Sequence, residues 1–170
     1  MSHDKVRTMI YGAFCISFII LLTYVFSVQA VFIHITFGFL PLAMYGAWFG
    51  PWRAGGIGAL ANFLGTAVLG LGVFFPGFML SDFLTGWIYG FFFHKKQSVG
   101  WKDAWLPFLL VTVIVHLGLN TLWLMLFYDK AASAIFASRL IKNIVCYPLE
   151  ISLFLMVYRP VAAWRLQKIG

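Results

Sequence analysis

Six long apolar runs, separated by charges or by Gly/Pro punctuation, fill this chain of 170 residues, and they decide what it can fold into. They cover about 8 to 28, 31 to 50, 53 to 72, 78 to 94, 104 to 127 and 133 to 158. Each is close to the ~20 residues that a helix needs to cross a bilayer. The pattern predicts an all-α membrane protein, a bundle of six transmembrane helices forming a single integral membrane domain over 1–170. Composition agrees, since 62% of the residues are hydrophobic and 10% are charged, against about 25% charged in soluble domains. Six spans use roughly 120 residues. That leaves no room for a separate soluble catalytic domain and excludes a self-contained membrane ATPase or kinase. The first run, Ile10 to Val28, exceeds an ordinary signal-peptide core and is followed by no clear small-x-small cleavage site, so it reads as a retained helix.

Charge sets the orientation. One set of connections holds Lys5, Arg7, Arg53, Lys95, Lys96, Lys102, Arg159, Arg165 and Lys168, and the other holds Lys130. The positive-inside rule then puts both termini in the cytoplasm, which an even number of helices requires as well. Segments near 29 to 35, 73 to 80 and 127 to 137 are expected to face outward. The net charge of +7 comes from cations scattered singly between apolar runs, not from a basic stripe, so no nucleic-acid partner is expected. Cys15 and Cys146 lie inside apolar runs without CxxC or Cys/His pairing, which points to buried small hydrophobes and to no metal or cofactor.

Polar groups inside the apolar runs carry the functional information. Arg139 and Lys142 fall within the sixth run, three residues apart on one helix face. Asn143, Cys146 and Glu150 lie within about 40° of Arg139 on the same stripe at ~100° per residue. Buried cations usually face a cavity or a partner. Arg suits a carboxylate bidentately and Lys supplies a point charge, so this face reads as a receptor for an anionic group. Snorkelling of both cations to the headgroups is the rival. On the fifth helix Thr112, His116, Asn120, Trp123 and Phe127 lie within about 80° of one another, a second polar and aromatic wall. His116 by itself reads as a core histidine. Asn120 offers a donor and an acceptor, as a heteroaromatic ring would require, though interhelical bonding is an alternative. The fourth helix opens with Pro76-Gly77-Phe78-Met79-Leu80-Ser81-Asp82, which places Asp82 in its first turn, serving the helix dipole, Arg139 or a ligand.

Small residues recur every four positions at Ala54, Gly58, Asn62, Thr66 and Gly70, at Gly86 and Gly90, and at Ala13 and Ser17. Such stripes let helices approach closely. The first two sets suit internal packing, and the Ala13/Ser17 face suits packing or an external subunit. No phosphate loop, HExxH or GxSxG motif is present. An outward-opening pocket in a protein with no energy source implies a capture subunit that works with others.

Phe75-Pro76-Gly77-Phe78-Met79-Leu80-Ser81, followed by Phe83-Leu84-Thr85-Gly86-Trp87-Ile88-Tyr89-Gly90, resembles the third loop and fourth helix of folate-specific S components of energy-coupling factor (ECF) transporters. Leu119-Asn120-Thr121-Leu122-Trp123-Leu124, Tyr128, Arg139 and Lys142 before Pro148 extend the likeness. The resemblance implies a non-enzymatic vitamin-binding subunit of the prokaryotic plasma membrane that captures folate from outside. It would join a transmembrane coupling subunit and two cytoplasmic ATPases, toppling in the membrane lipid to release its ligand inward. It further implies that Ala13 and Ser17 contact the coupling subunit, with serine departing from the family's alanine. Folate's chemistry suits the residues: carboxylates for Arg139 and Lys142, a flat pterin for Phe75, Phe78, Trp123 and Tyr128, and polar edges for Asn120 and Ser81. Asp82 after Ser81 departs from the expected motif. An S component for another heteroaromatic vitamin such as riboflavin is the alternative, and a small intramembrane enzyme using His116 with Glu150 or Asp82 is a more distant one.

Overall fold

A computed structural model describes residues 3–26, 28–30, 33–96, 99–128 and 132–167, with side chains for 6–26, 36–96, 99–126 and 140–162. Six helical rods account for almost all of them. α1 (His3–Ile20) ends in a π turn over Leu21–Val25; α2 is Phe39–Phe49; α3 (Pro51–Phe63) continues as a π turn over Leu64–Val68; α4 is Pro76–Phe93. α5 starts as Trp101–Leu110, widens into a π segment over Val111–Leu119 and finishes as Asn120–Tyr128, and α6 is Ala132–Gln167. Three stretches, Val6–Val25, Trp101–Leu126 and Leu140–Ala162, are each long and apolar enough to cross a membrane, and Phe39–Phe49 is a shorter apolar helix.

The second rod is shorter than the apolar run predicts. Residues 33 to 38 do not begin the helix; two antiparallel strands, β1 (Val28–Ala30) and β2 (Ile33–Ile35), pair Val28 with Ile35 and Ala30 with Ile33. Val, Ile and Phe are β-formers as well as apolar, so hydropathy could not separate a buried helix from a hairpin here. α2 stops at Gly50, whose φ of +90° is open to glycine but strained for other residues. Pro51 then fills the first turn of α3, where no amide hydrogen is needed. The third rod ends at Val68, not at 72. Gly70, at φ +63°, turns the chain back so that the Leu71 amide donates to Gly65 O at 2.9 Å. Gly70 is therefore a helix stop and not the last member of a packing stripe.

α3 and α4 run antiparallel with their backbones almost touching. A Cβ placed on Gly86 would lie 2.4 Å from Ala54 O, one on Gly90 2.5 Å from Pro51 Cα, and one on Gly58 2.5 Å from Asp82 O. Ala54 and Gly58 thus face Gly86 and Asp82, and the two small-residue stripes read from the sequence are two sides of one seam. Near the Lys95–Lys96 end, α4, α5 and α6 share an aromatic core. Phe93 stacks on Phe154 at 4.8 Å between centroids, and Tyr89 packs on Phe108 at 5.0 Å. Tyr158 caps this end by donating to Lys96 O at 3.3 Å, and Lys96 pairs with Asp103 at the start of α5. Both cysteines are buried, and Cys15 donates to Pro41 O at 3.3 Å.

Candidate functional site

Where the α3–α4 seam runs out, the bundle opens into a polar cavity of about 130 Å³. One period beyond Gly58 the small-residue stripe reaches Asn62, and a side chain with two polar ends takes the place of backbone contact. Asn62 Nδ2 donates to Asp82 Oδ2 at 2.8 Å. Thr66, one period further, donates back to Asn62 O at 2.7 Å. The π turn that ends α1 brings Thr23 and Tyr24 to the cavity, the segment between β2 and α2 brings Thr36, and the first residue of α2 brings Phe39. Thr85 of α4, His116 of α5, and Lys142 and Glu150 of α6 complete the polar lining. A partly open cavity lined by two carboxylates, a cation, an imidazole and amide and hydroxyl groups suits a polar guest, since polar groups inside an apolar bundle are costly unless something partners them.

The sequence-predicted site residues divide into groups. Lys142 lines the cavity. Phe75, Phe78, Ser81 and Trp123 come together beside it, at the start of α4. Phe75 meets Phe78 edge-on at 5.8 Å and Trp123 at 5.6 Å, and Trp123 Nε1 donates to Ser81 Oγ at 3.2 Å. Gly77 makes the cluster possible: a Cβ there would lie 2.4 Å from Phe75 and 2.6 Å from the Trp123 ring. Ser81 is 1% exposed, so its hydroxyl is committed to Trp123 in this conformation. Asn120 is not among the cavity-lining residues, and its buried Oδ1 has no hydrogen-bond partner among the described residues. The side chains of Tyr128 and Arg139 lie outside the described residues.

Two sequence expectations are corrected. α4 begins at Pro76, so Asp82 sits beyond the first turn and is not a dipole-capping residue. The straight stripe on α5 does not survive either. Over Val111–Leu119 the hydrogen bonds reach five residues back, which widens the turn, so His116 lines the cavity while Trp123 turns to Ser81. Cavity residues that the sequence reading passed over are Thr23, Tyr24, Thr36 and Thr85, with Asn62 assigned to packing alone. The signal was there for Asn62, an amide interrupting a run of alanine and glycine. On α1, Gly12 and Cys15 face the bundle, while Ala13 and Ser17 lie on the exposed side with Met9, Phe14 and Phe18.

Comparison with known proteins supplies the family. The family model for the ECF transporter substrate-specific component matches residues 7–158. The folate transporter FolT of Clostridium novyi (strain NT) is 44% identical over 147 residues, covering 86% of this chain and 84% of that protein. The folate transporter FolT of Leuconostoc mesenteroides subsp. mesenteroides is 28% identical over 126 residues, 71% of this chain and 68% of that protein. Among solved structures, a crystal structure of FolT bound with folic acid superposes with a TM-score of 0.82 at 32% identity, covering 89% of this chain and 92% of that one. A six-helix apolar bundle around a polar cavity, matched across nearly its whole length, is a membrane protein that belongs to the substrate-specific components of ECF transporters.

Proposed function

We propose that this chain captures folate at the outer face of the prokaryotic plasma membrane and delivers it inward together with a transmembrane coupling subunit and two cytoplasmic ATPases, with no enzymatic activity of its own. The observation that carries this reading is the 44% identity to a folate transporter across 86% of the chain. The polar cavity beside an aromatic cluster supports it chemically. In this reading both termini are cytoplasmic in a multi-pass protein. Phe75, Phe78, Trp123 and Tyr128 contact the flat pterin, Ser81 and Asn120 serve its polar edges, and Arg139 and Lys142 take the glutamate carboxylates. In this reading the ligand takes the place of the bond between Trp123 Nε1 and Ser81 Oγ.

Tryptophan fluorescence of the purified, detergent-solubilised protein tests the ligand. The expected result is saturable quenching by folic acid and none by riboflavin or thiamine; quenching by either control with none by folic acid overturns it. The exposed Ala13/Ser17 face of α1 is the proposed contact with the coupling subunit, because small residues there, beside exposed Met9, Phe14 and Phe18, allow another helix to approach closely. Ala13→Trp would hold another helix away from that face. The variant should bind folic acid normally yet fail to copurify with the coupling subunit.

A further inference from the structure

The cavity has a polarity that the site assignment above leaves unused. Asp82 faces it from α4, and among the described residues Asn62 is its one hydrogen-bond partner. An ionised carboxylate accepts about four hydrogen bonds, and a low-dielectric interior makes each missing one expensive. Asn62 deepens the shortage, because its buried Oδ1 also lacks a partner among the described residues. One wall of the cavity therefore presents acceptors in want of donors. Those acceptors cannot easily move: Asp82 O stands 2.5 Å from where a Cβ on Gly58 would be, so the carboxylate is carried by a tightly packed part of the helix seam. Lys142, on another helix, lines the same cavity and offers the opposite charge.

We propose that Asp82, held by Asn62, is the specificity residue for the ligand's fused heterocycle, accepting from the adjacent ring N–H and exocyclic amino group of a 2-amino-4-oxopyrimidine edge. The inference rests on the folate reading, since the pterin of folic acid carries that edge. Two parallel N–H donors match the two oxygens of a carboxylate, the geometry that makes guanidinium–carboxylate pairs strong. A flavin ring offers instead one N–H flanked by two carbonyls, whose oxygens would face Asp82 with lone pairs against a negative charge. Asp82 thus selects for a pterin and against a flavin, and it orients the acidic tail away from itself towards the cationic side. Glu150 lines the cavity as well, but it shares α6 with Lys142 and has no amide backing of this kind among the described residues.

The test is a cycle that crosses protein and ligand. Wild-type protein and Asp82→Asn are each titrated by tryptophan fluorescence with folic acid and with its 2-desamino-2-methyl analogue, and Glu150→Gln is carried through the same titrations. Removing the ligand's amino group should weaken wild-type binding on the order of tenfold to a hundredfold, Asp82→Asn should weaken folic acid by a similar factor, and the two losses should not multiply. The analogue then binds both proteins alike, and Glu150→Gln responds to the amino group as wild type does. Losses that multiply, or coupling to Glu150 instead, overturn the assignment. Equal binding of folic acid and the analogue by wild type overturns it without reference to any variant. Wild-type protein that does not bind folic acid at all refutes the folate reading itself, whereas folic acid bound without coupling refutes only the role of Asp82.

Discussion

Gly58 and Asn62 stand one period apart on the same face of α3, opposite the same residue of α4, and they do opposite things. At Gly58 the absence of a side chain lets the Asp82 backbone come within 2.5 Å of a would-be Cβ. At Asn62 a side chain reaches across and donates to the Asp82 carboxylate at 2.8 Å. Asp82 is therefore locked by its backbone into the seam and presented by its side chain to the cavity. A binding group is most useful when its position is set by packing that the ligand does not have to supply. The two regions teach that rigidity and recognition are separated here by a single turn of helix.

Substitutions that act on one side of this division and not on the other would break or sharpen it. The largest effect is expected on the cavity side, where Lys142→Ala should weaken folic acid binding by about 2–5 kcal/mol, the range for truncating one partner of a buried charge pair. Its thermal unfolding midpoint without ligand should stay near that of wild type; a large drop would mean that Lys142 holds the fold together. Next comes the seam. Gly86→Ala sets a methyl group 2.4 Å from Ala54 O, and since backbone cannot yield as a side-chain tip can, a loss of about 1–3 kcal/mol in stability should appear as an earlier thermal transition. Ser81→Ala removes the acceptor of Trp123, which should lower stability by about 1 kcal/mol and alter the tryptophan emission of the apo protein. The smallest effect serves as the control for the seam. Gly56 has nothing within 4 Å of its would-be Cβ, so Gly56→Ala should be neutral or stabilising by up to ~1 kcal/mol. If Gly56→Ala and Gly86→Ala melted alike, close approach would not be what distinguishes the glycines of this bundle.

The legible features were those with a period or a sharp chemical contrast. The spacing of Ala54 and Gly58, and of Gly86 and Gly90, announced the seam. Gly/Pro punctuation marked the break between the second and third runs, and Phe75, Phe78, Ser81 and Trp123, which the family resemblance named together, do meet at the start of α4. Features that depend on winding or on the choice among apolar structures were not legible. The hairpin at Val28–Ile35 has the hydropathy of a span, and the π segment at Val111–Leu119 re-aims His116 and Trp123 without any residue that marks it. Asn62 was read as a small packing residue because its neighbours in the stripe are small, although it lines the cavity and donates to Asp82.

Hydropathy, charge bias and residue size determined that this chain is a six-helix membrane bundle, because those properties act locally and hold whatever the helices pack against. Which polar groups meet was decided only in three dimensions. Asn62, Asp82, His116, Lys142 and Glu150 come from four helices and reach one cavity with the help of the widened stretch of α5 and a backbone contact a few ångströms across. Each of these shifts the direction of a side chain by more than a periodicity can resolve. The helices follow from solvation along the chain, and the site follows from how closely two of them can approach.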